Sequence, residues 1–356
     1  MKITISIFDI LGAYCGMHYY DMAFAEVLRK RGHEVYIYSN FKERESDKVF
    51  FPDFFSCKKL VGIIRFLTAY MRFLKFVLFS SSDRIVYLTY GEFYELPFLF
   101  IACFSRRVYV DVHEIHALKY DDASWVSRIF ERLYRNGIRH VIYHSERTRG
   151  ILNGNDLDML YVPHFKYVFQ KEYRDMKLAD EVKTCFQTDY RKFLFFGNLS
   201  TVKGIDTVMD VFKKLKSDNR CWELVVAGKN VDNIDFSDFQ DERIKVIDRH
   251  INDDELVYLY VHTDFILLPY KKSSQSGIFA MAAYFHKPMI LSEIPYFKKM
   301  IEEYPSFGVV AGLSDFQPII QKMIDGHDGI FYTQEDCNRF EMKNEIDKFV
   351  NSLCNK

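Results

Sequence analysis

Residues 265–292 read FILLPYKKSSQSGIFAMAAYFHKPMILS. A short apolar run over 265–268 stops at Pro269, and a polar loop follows over 270–276. Small and apolar residues then run from Ile278 to Phe285, with a second apolar run at 288–291. Runs of this length, bounded by Pro and Gly, predict strand, loop, helix and strand. The loop is rich in serine and ends on Gly277, where the helix should begin. A helix N-terminus presents unpaired N–H groups and about half a positive charge, and glycine lets a ligand approach the main chain. The loop is therefore a candidate phosphate seat. The plainer reading is a strand-to-helix turn whose serines are N-caps.

Working outward, the same alternation repeats. FLFF at 193–196 is a strand, followed by GNLSTVKG at 197–204 and a helix over 205–215 with Ile205, Val208, Met209, Phe212 and Leu215 on one face. A strand at 224–227 ends on Gly228 and Lys229, a short strand at 244–247 precedes Asp248, Arg249 and His250, and 253–261 is helical. The first half opens with a strand at 3–7, a loop over 11–16 holding Gly12 and Gly16, a helix over 20–31 stopped by Gly32, and a strand at 34–39. That is a βαβ unit. Gly12 and Gly16 do not fit Gly-x-Gly-x-x-Gly, which speaks against a nicotinamide enzyme. Strands follow at 84–88, 107–110 and 140–143, with a helix over 124–135. His113 lies just past the strand at 107–110, where open α/β sheets place ligands; the alternative is a capping or core histidine. His144 follows the next strand, and residues 161–164 end the last strand of this half.

A chain of 356 residues is longer than one core usually serves, so two domains are expected. We divide it into an N-terminal Rossmann-like domain at 1–165, a charged, irregular hinge at 166–190, a C-terminal Rossmann-like domain at 191–335 and a closing helix at 336–356. The net charge of −1 provides no global field for nucleic acid. Seven scattered cysteines without a Cys-x-x-Cys pair fit reduced thiols in a cytoplasm-like compartment. The opening MKITISIFDI reads as a strand rather than a signal peptide. The eleven histidines show no ligand spacing, so no metal is expected. The Asp156-Leu157-Asp158 pair is read as a surface turn. Residues 54–82 contain no acidic residue, and a helix would gather Lys58, Arg65, Arg72 and Lys75 in one stripe. Two readings of that stripe are compatible: a solvated basic face, and contact with an anionic inner-membrane surface.

Three blocks together resemble the donor domain of GT-B glycosyltransferases of the retaining family 4: FLFFGNLSTVKGIDTVMDVFKKL (193–215), LVVAGK (224–229) and HTDFILLPYKKSSQSGIFAMAAYFHKPMILSE (262–293). KRGHEVYIYS and DVHEIHALK resemble that family's first-half blocks. The resemblance implies an α/β GT-B fold, two Rossmann-like domains facing each other across a cleft. It implies that Lys203 holds the donor diphosphate, with Asn198 standing where the family has a partner arginine. Gly197 belongs to the same block, as Gly228 does to the next. It places Ser274, Gln275, Ser276 and Gly277 on the backbone that meets the diphosphate, and His113 beside the reacting sugar. The family's two acidic residues on the donor fall on Ser273 and Met281, neither acidic. By position, Lys229, Arg249 and His250 are expected at the base, and Gly12, Gly16, His113 and Glu114 at the acceptor.

The expected function is transfer of a sugar from a nucleotide diphosphate sugar to a glycan or lipid-linked acceptor. The resemblance adds retention and a role in cell-surface polysaccharide synthesis, and no cofactor or metal is expected. Lys203 and His113 are the expected catalytic residues. The competing readings are a non-catalytic scaffold of the same fold and an epimerase acting on a sugar nucleotide. The expected location is cytoplasmic, at or near the membrane.

Overall fold

A computed structural model of the chain describes residues 2–355 except 15, 43, 46, 54–56, 118–119, 121–123, 154–156, 163–175, 216–220, 238, 240, 274, 327–331 and 341–342, with the backbone alone at 343, 344 and 355. Ser274, His164, Asp156 and the first part of the expected hinge lie outside the described residues. The chain forms two compact units, Met1–Val168 with Met342–Lys356, and Phe169–Glu341.

The first unit runs β1 (Thr4–Phe8), α1 (His18–Lys30), β2 (Glu34–Ser39), β3 (Lys48–Val49), α2 (Lys59–Phe79), β4 (Arg84–Thr89), α3 (Leu96–Ala102), β5 (Val108–Val112), α4 (Trp125–Asn136), β6 (His140–Tyr143), α5 (Glu146–Leu152) and β7 (Asp158–Tyr161). The strands pair in parallel in the order β3-β2-β1-β4-β5-β6-β7. Every residue of β5 is buried, as expected of a parallel strand covered on both faces. Gly32, just past α1, has φ of +86° and ends that helix as the sequence indicates. Ser124 caps α4, its side chain accepting from Ser127 N.

The second unit runs α6 (Asp180–Lys183), β8 (Arg191–Phe196), α7 (Ile205–Leu215), β9 (Trp222–Gly228), β10 (Ile244–Asp248), α8 (Asp253–His262), β11 (Phe265–Leu268), α9 (Gly277–Tyr284), β12 (Met289–Ser292), α10 (Pro295–Glu303), β13 (Gly308–Ala311), α11 (Phe316–Ile324) and α12 (Gln334–Phe340). Its parallel order is β10-β9-β8-β11-β12-β13. The deciding stretch folds as read: β11, a loop, α9 and β12, with β11 and β12 adjacent.

Several expectations change. Asp158 is not in a surface turn; it opens β7 and pairs with His140 at 3.0 Å. The described residues of the expected hinge fold with the second unit. Lys177 N donates to Asp254 at 3.0 Å, Ala179 N donates to Glu255 at 3.2 Å, and Val182 and Cys185 are buried. The expected closing helix is two helices: α12 lies in the second unit and α13 (Lys343–Asn355) in the first. There Phe349, Val350 and Leu353 are buried, and Arg84 Nε donates to Leu353 O at 3.0 Å. Three such side chains, at about 2 kcal/mol each, hold the tail to the first unit. The sequence reading passed over α3, α10, β13 and α11.

Candidate functional site

In the second unit the candidate residues gather where β8, β9 and β11 end. The main chain there is in tight contact. A Cβ on Gly228, whose φ is +146°, would lie 1.8 Å from Gly197 O, so only glycine fits. Leu199 N donates to Lys229 O at 2.9 Å, which ties the loops after β8 and β9 together. A Cβ on Gly204 would lie 1.9 Å from Pro269 O, and Lys271 N donates to Val202 O at 2.9 Å. This close approach sets Lys203 against the loop that leads to α9. Its Nζ lies 3.8 Å from the centre of the Tyr270 ring, and the Ser276 hydroxyl is 3.5 Å from the Tyr270 hydroxyl.

Ser276 is buried and caps α9, accepting from Phe279 N at 3.2 Å. The N–H groups of Gly277 and Ile278 belong to the first helical turn, where the helix itself supplies no acceptor. The Ile278 side chain comes within 3.5 Å of a Cβ built on Gly197, so the start of α9 faces the turn after β8. The structure thus brings Gly197, Gly228, Lys203, Ser276 and Gly277 together, with Asn198 exposed beside Gly197 and Gln275 half-buried before the cap. Lys229 and His250 are exposed. Arg249 holds Glu255 through two bonds of 2.7 and 2.8 Å and Glu181 through a third of 2.7 Å. Its guanidinium thus braces the start of α8. Ser273 donates to Gln275 O, and Met281 is buried in the core.

In the first unit the carboxyl edge of the sheet holds a buried polar cluster. His144 Nδ1 faces Val162 O at 3.0 Å; a carbonyl only accepts, so that nitrogen carries hydrogen. Its Nε2 lies 2.6 Å from Asp111 Oδ1, and Tyr20 donates to Asp111 Oδ2 at 2.8 Å. His113 Nε2 is 3.7 Å from Asp111 Oδ1. The His113 ring is stacked on His144 and Tyr90 and meets the edge of Tyr20. Tyr90 donates to Asp9 Oδ2 at 2.9 Å, and Asp9 also takes a bond from the Gly12 main chain. Gly12 and His113 thus share one network. Gly16 lies in the same loop as Gly12, and Glu114 follows His113 in the wall of a small cavity.

Burial raises the carboxyl of Asp9 above its ordinary range. Burial, then the Asp9 charge, raises Asp21 well above its own. The Asp21 and Asp9 carboxyls also share a side-chain hydrogen bond, which raises Asp21 and lowers Asp9. Burial also pushes Glu95 up to about 8, although it accepts from Tyr90 N and Glu92 N. Asp111, His113 and His144 place one ligand-type atom each within 4.8 Å of one another. Sequence spacing does not show this group, because it spans two strands. Asp9, Tyr20, Asp21, Tyr90, Asp111 and Tyr270 were also missed. The signal for the two strand-end aspartates was their place directly after, or at the end of, an apolar run.

Residues 190–328 match the family model for glycosyl transferases group 1. The whole chain is similar in fold to Anabaena HepE in complex with UDP-glucose, with a TM-score of 0.69 and 11% identity over 99% of this chain and 98% of that one. It is similar to sucrose-phosphate synthase from Thermosynechococcus elongatus, with a TM-score of 0.66 and 12% identity over 99% and 95%. It is also similar to WaaG, a glycosyltransferase involved in lipopolysaccharide biosynthesis, with a TM-score of 0.64 and 12% identity over 99% and 100%. No curated protein matches the chain. The resemblance to GT-B glycosyltransferases is met by the matching family model and the shared fold.

Proposed function

From the group 1 match of the second unit and the GT-B fold of the whole chain, we propose a glycosyltransferase. It moves a sugar from a nucleotide diphosphate sugar to a glycan or lipid-linked acceptor. The observation that carries this is the start of α9, where the Gly277 and Ile278 N–H groups open beside the turn after β8. A diphosphate there takes main-chain N–H bonds and the helix dipole, and the Lys203 ammonium lies on the neighbouring Tyr270 ring. Donors fixed where leaving-group charge develops lower the barrier without reorganising. They can do so without a metal, and activity in excess chelator tests that part.

UDP-glucose is the first donor to try, because HepE is similar in fold and binds it. The proposed acceptor is part of a cell-surface polysaccharide, handled at the inner face of a membrane near Gly12, Gly16, His113 and Glu114. Retention at the anomeric carbon by double displacement would need a carboxylate nucleophile. Ser273 and Met281 supply none, so the proposed route is a front-face displacement assisted by the leaving phosphate. The same two residues favour a second reading, a scaffold that binds nucleotide and transfers nothing. A thermal-shift panel of UDP, GDP, ADP, TDP and CMP, followed by nucleotide release from the matching sugar donor, separates them. Stabilisation with release supports the enzyme, stabilisation alone supports the scaffold, and neither effect removes both.

A further inference from the structure

We propose that Glu95 is a positioning residue for the sugar transfer: its carboxyl fixes the loop after β4 so that the Tyr90 ring holds His113 at the acceptor edge of the first sheet. This rests on the glycosyltransferase reading above and deepens it. Glu95 ends a single 3₁₀ turn, Phe93–Glu95, and is fully buried. Three donors from the preceding loop converge on its Oε2: Thr89 Oγ1 at 3.2 Å, Tyr90 N at 3.0 Å and Glu92 N at 2.8 Å. Its Oε1 stands farther off, 3.3 Å from Tyr90 N. One carboxyl thus gathers residues 89, 90 and 92 around itself.

That loop is pressed in turn onto the segment that carries His113. His113 N donates to Thr89 O at 3.0 Å, and Ala117 N donates to Gly91 O at 2.9 Å. A Cβ on Gly91, whose φ is +70°, would lie 2.1 Å from His116 Cα, so the two main chains touch there. The Tyr90 ring stacks on the His113 ring with centres 5.4 Å apart and planes 21° apart, and its hydroxyl donates to Asp9 at 2.9 Å. The His144 ring stacks on His113 at 4.7 Å. Two stacked rings therefore set the plane of the imidazole, and Glu95 holds the main chain of one of them. A helix cap alone does not need this arrangement. In a capping box the glutamate serves the N–H three residues before it, here that of Glu92, and can do so from the surface. Glu95 also takes Thr89 and Tyr90 and gives up contact with water, and burial pushes its carboxyl up to about 8. Burying a polar group is costly unless its bonds are made, and the bonds made here all hold one loop.

The test uses the full chain and two readouts: nucleotide release from UDP-glucose, or from the sugar donor of whichever nucleotide the thermal-shift panel selects, and the NMR signals of the His113 imidazole. Glu95→Ala should lower kcat by about ten- to a hundredfold, the usual cost of a misplaced group at the reacting atoms. The donor KM should stay unchanged, because the proposed diphosphate seat belongs to the second unit. Glu95→Gln keeps the accepting oxygen and matches the neutral acid in shape, so its kcat should stay within about fivefold of the parent, the worth of one ordinary hydrogen bond. Tyr90→Leu should reproduce the loss, and combined with Glu95→Ala should cost no more than either change alone, since both act through one contact. The His113 signals should move in Glu95→Ala and not in Glu95→Gln. Glu95→Leu, which fills the space and accepts nothing, takes the place of Glu95→Ala where alanine prevents folding. Unchanged kcat, additive losses in the double variant, unmoved His113 signals, or failure of both the alanine and leucine variants to fold would overturn the proposal and leave the glycosyltransferase reading standing. No release by the parent chain would overturn that reading, and the role assigned to Glu95 with it.

Discussion

At the carboxyl edge of the first sheet, Asp9, Asp111, His113 and His144 are buried side chains that meet through hydrogen bonds and stacked rings. At the same edge of the second sheet, the corresponding places hold Gly197, Gly228 and the first N–H groups of α9. Both edges are where a doubly wound sheet presents ligands. One edge is made of ionisable groups taken from water; the other is made of main chain with a lysine beside it. The first should therefore be sensitive to pH and to loss of any one partner. The second should be sensitive to backbone shape and indifferent to most side-chain truncations.

Asp111→Ala tests the contrast most severely. It leaves the Tyr20 hydroxyl and His144 Nε2 buried without their shared partner, a loss of about 3 kcal/mol or more. Urea unfolding should show it, and a drop below about 1 kcal/mol would mean that the cluster is loosely held. In the second unit, Lys203→Ala should lower turnover by about a hundredfold while leaving unfolding almost unchanged. Unchanged kinetics would remove Lys203 from the leaving-group site and leave the backbone alone to hold the diphosphate.

The pH prediction separates the units next. Asp9, Asp21 and Glu95 all have carboxyls raised in the folded chain, by burial first. The folded state then holds their protons more tightly than the unfolded state. Stability is full below the unfolded values and is lost as pH rises through the folded ones. For Glu95 the window runs from 4.5 to about 8. Each such group can contribute up to about 1.4 kcal/mol per pH unit inside its window. Asparagine has no proton to lose in this range, so Asp21→Asn should gain on the parent chain as pH rises from the ordinary aspartate range towards neutrality. A constant difference across that range would show that Asp21 is not held protonated.

The contrast also explains what the sequence made legible. The cradle of the second unit is written in short contiguous blocks, because GNLSTVKG, AGK and SSQSG each complete one turn of main chain. Glycine, lysine and serine at close spacing are visible in a single string. The cluster of the first unit draws Asp9 from β1's end, Tyr20 and Asp21 from α1, Tyr90 from β4's end, and Asp111 and His144 from two neighbouring strands. No spacing rule joins residues so far apart, and His113 was legible only because it stands directly after a strand. Arg249 shows the converse error: it has the right position for a ligand, but the buried Glu255 that claims it is visible only after folding. Met281, where the resemblance puts one of the family's two acidic donor residues, is buried in the core.

The smallest predicted effect is the sharpest test of a main-chain site. Ser276 caps α9 through one bond to Phe279 N and lies near the Tyr270 hydroxyl. Ser276→Ala removes that cap, a loss of about 1 kcal/mol, and melting should fall slightly. If the diphosphate is held by the Gly277 and Ile278 N–H groups and the helix dipole, those donors remain in the variant. Nucleotide affinity, measured by calorimetry, should then change by less than about threefold, because the hydroxyl was occupied by the helix and not by the ligand. A much larger loss of affinity with the same small change in melting would assign the hydroxyl to the phosphate. The second unit would then hold its ligand as the first holds His113, through side chains.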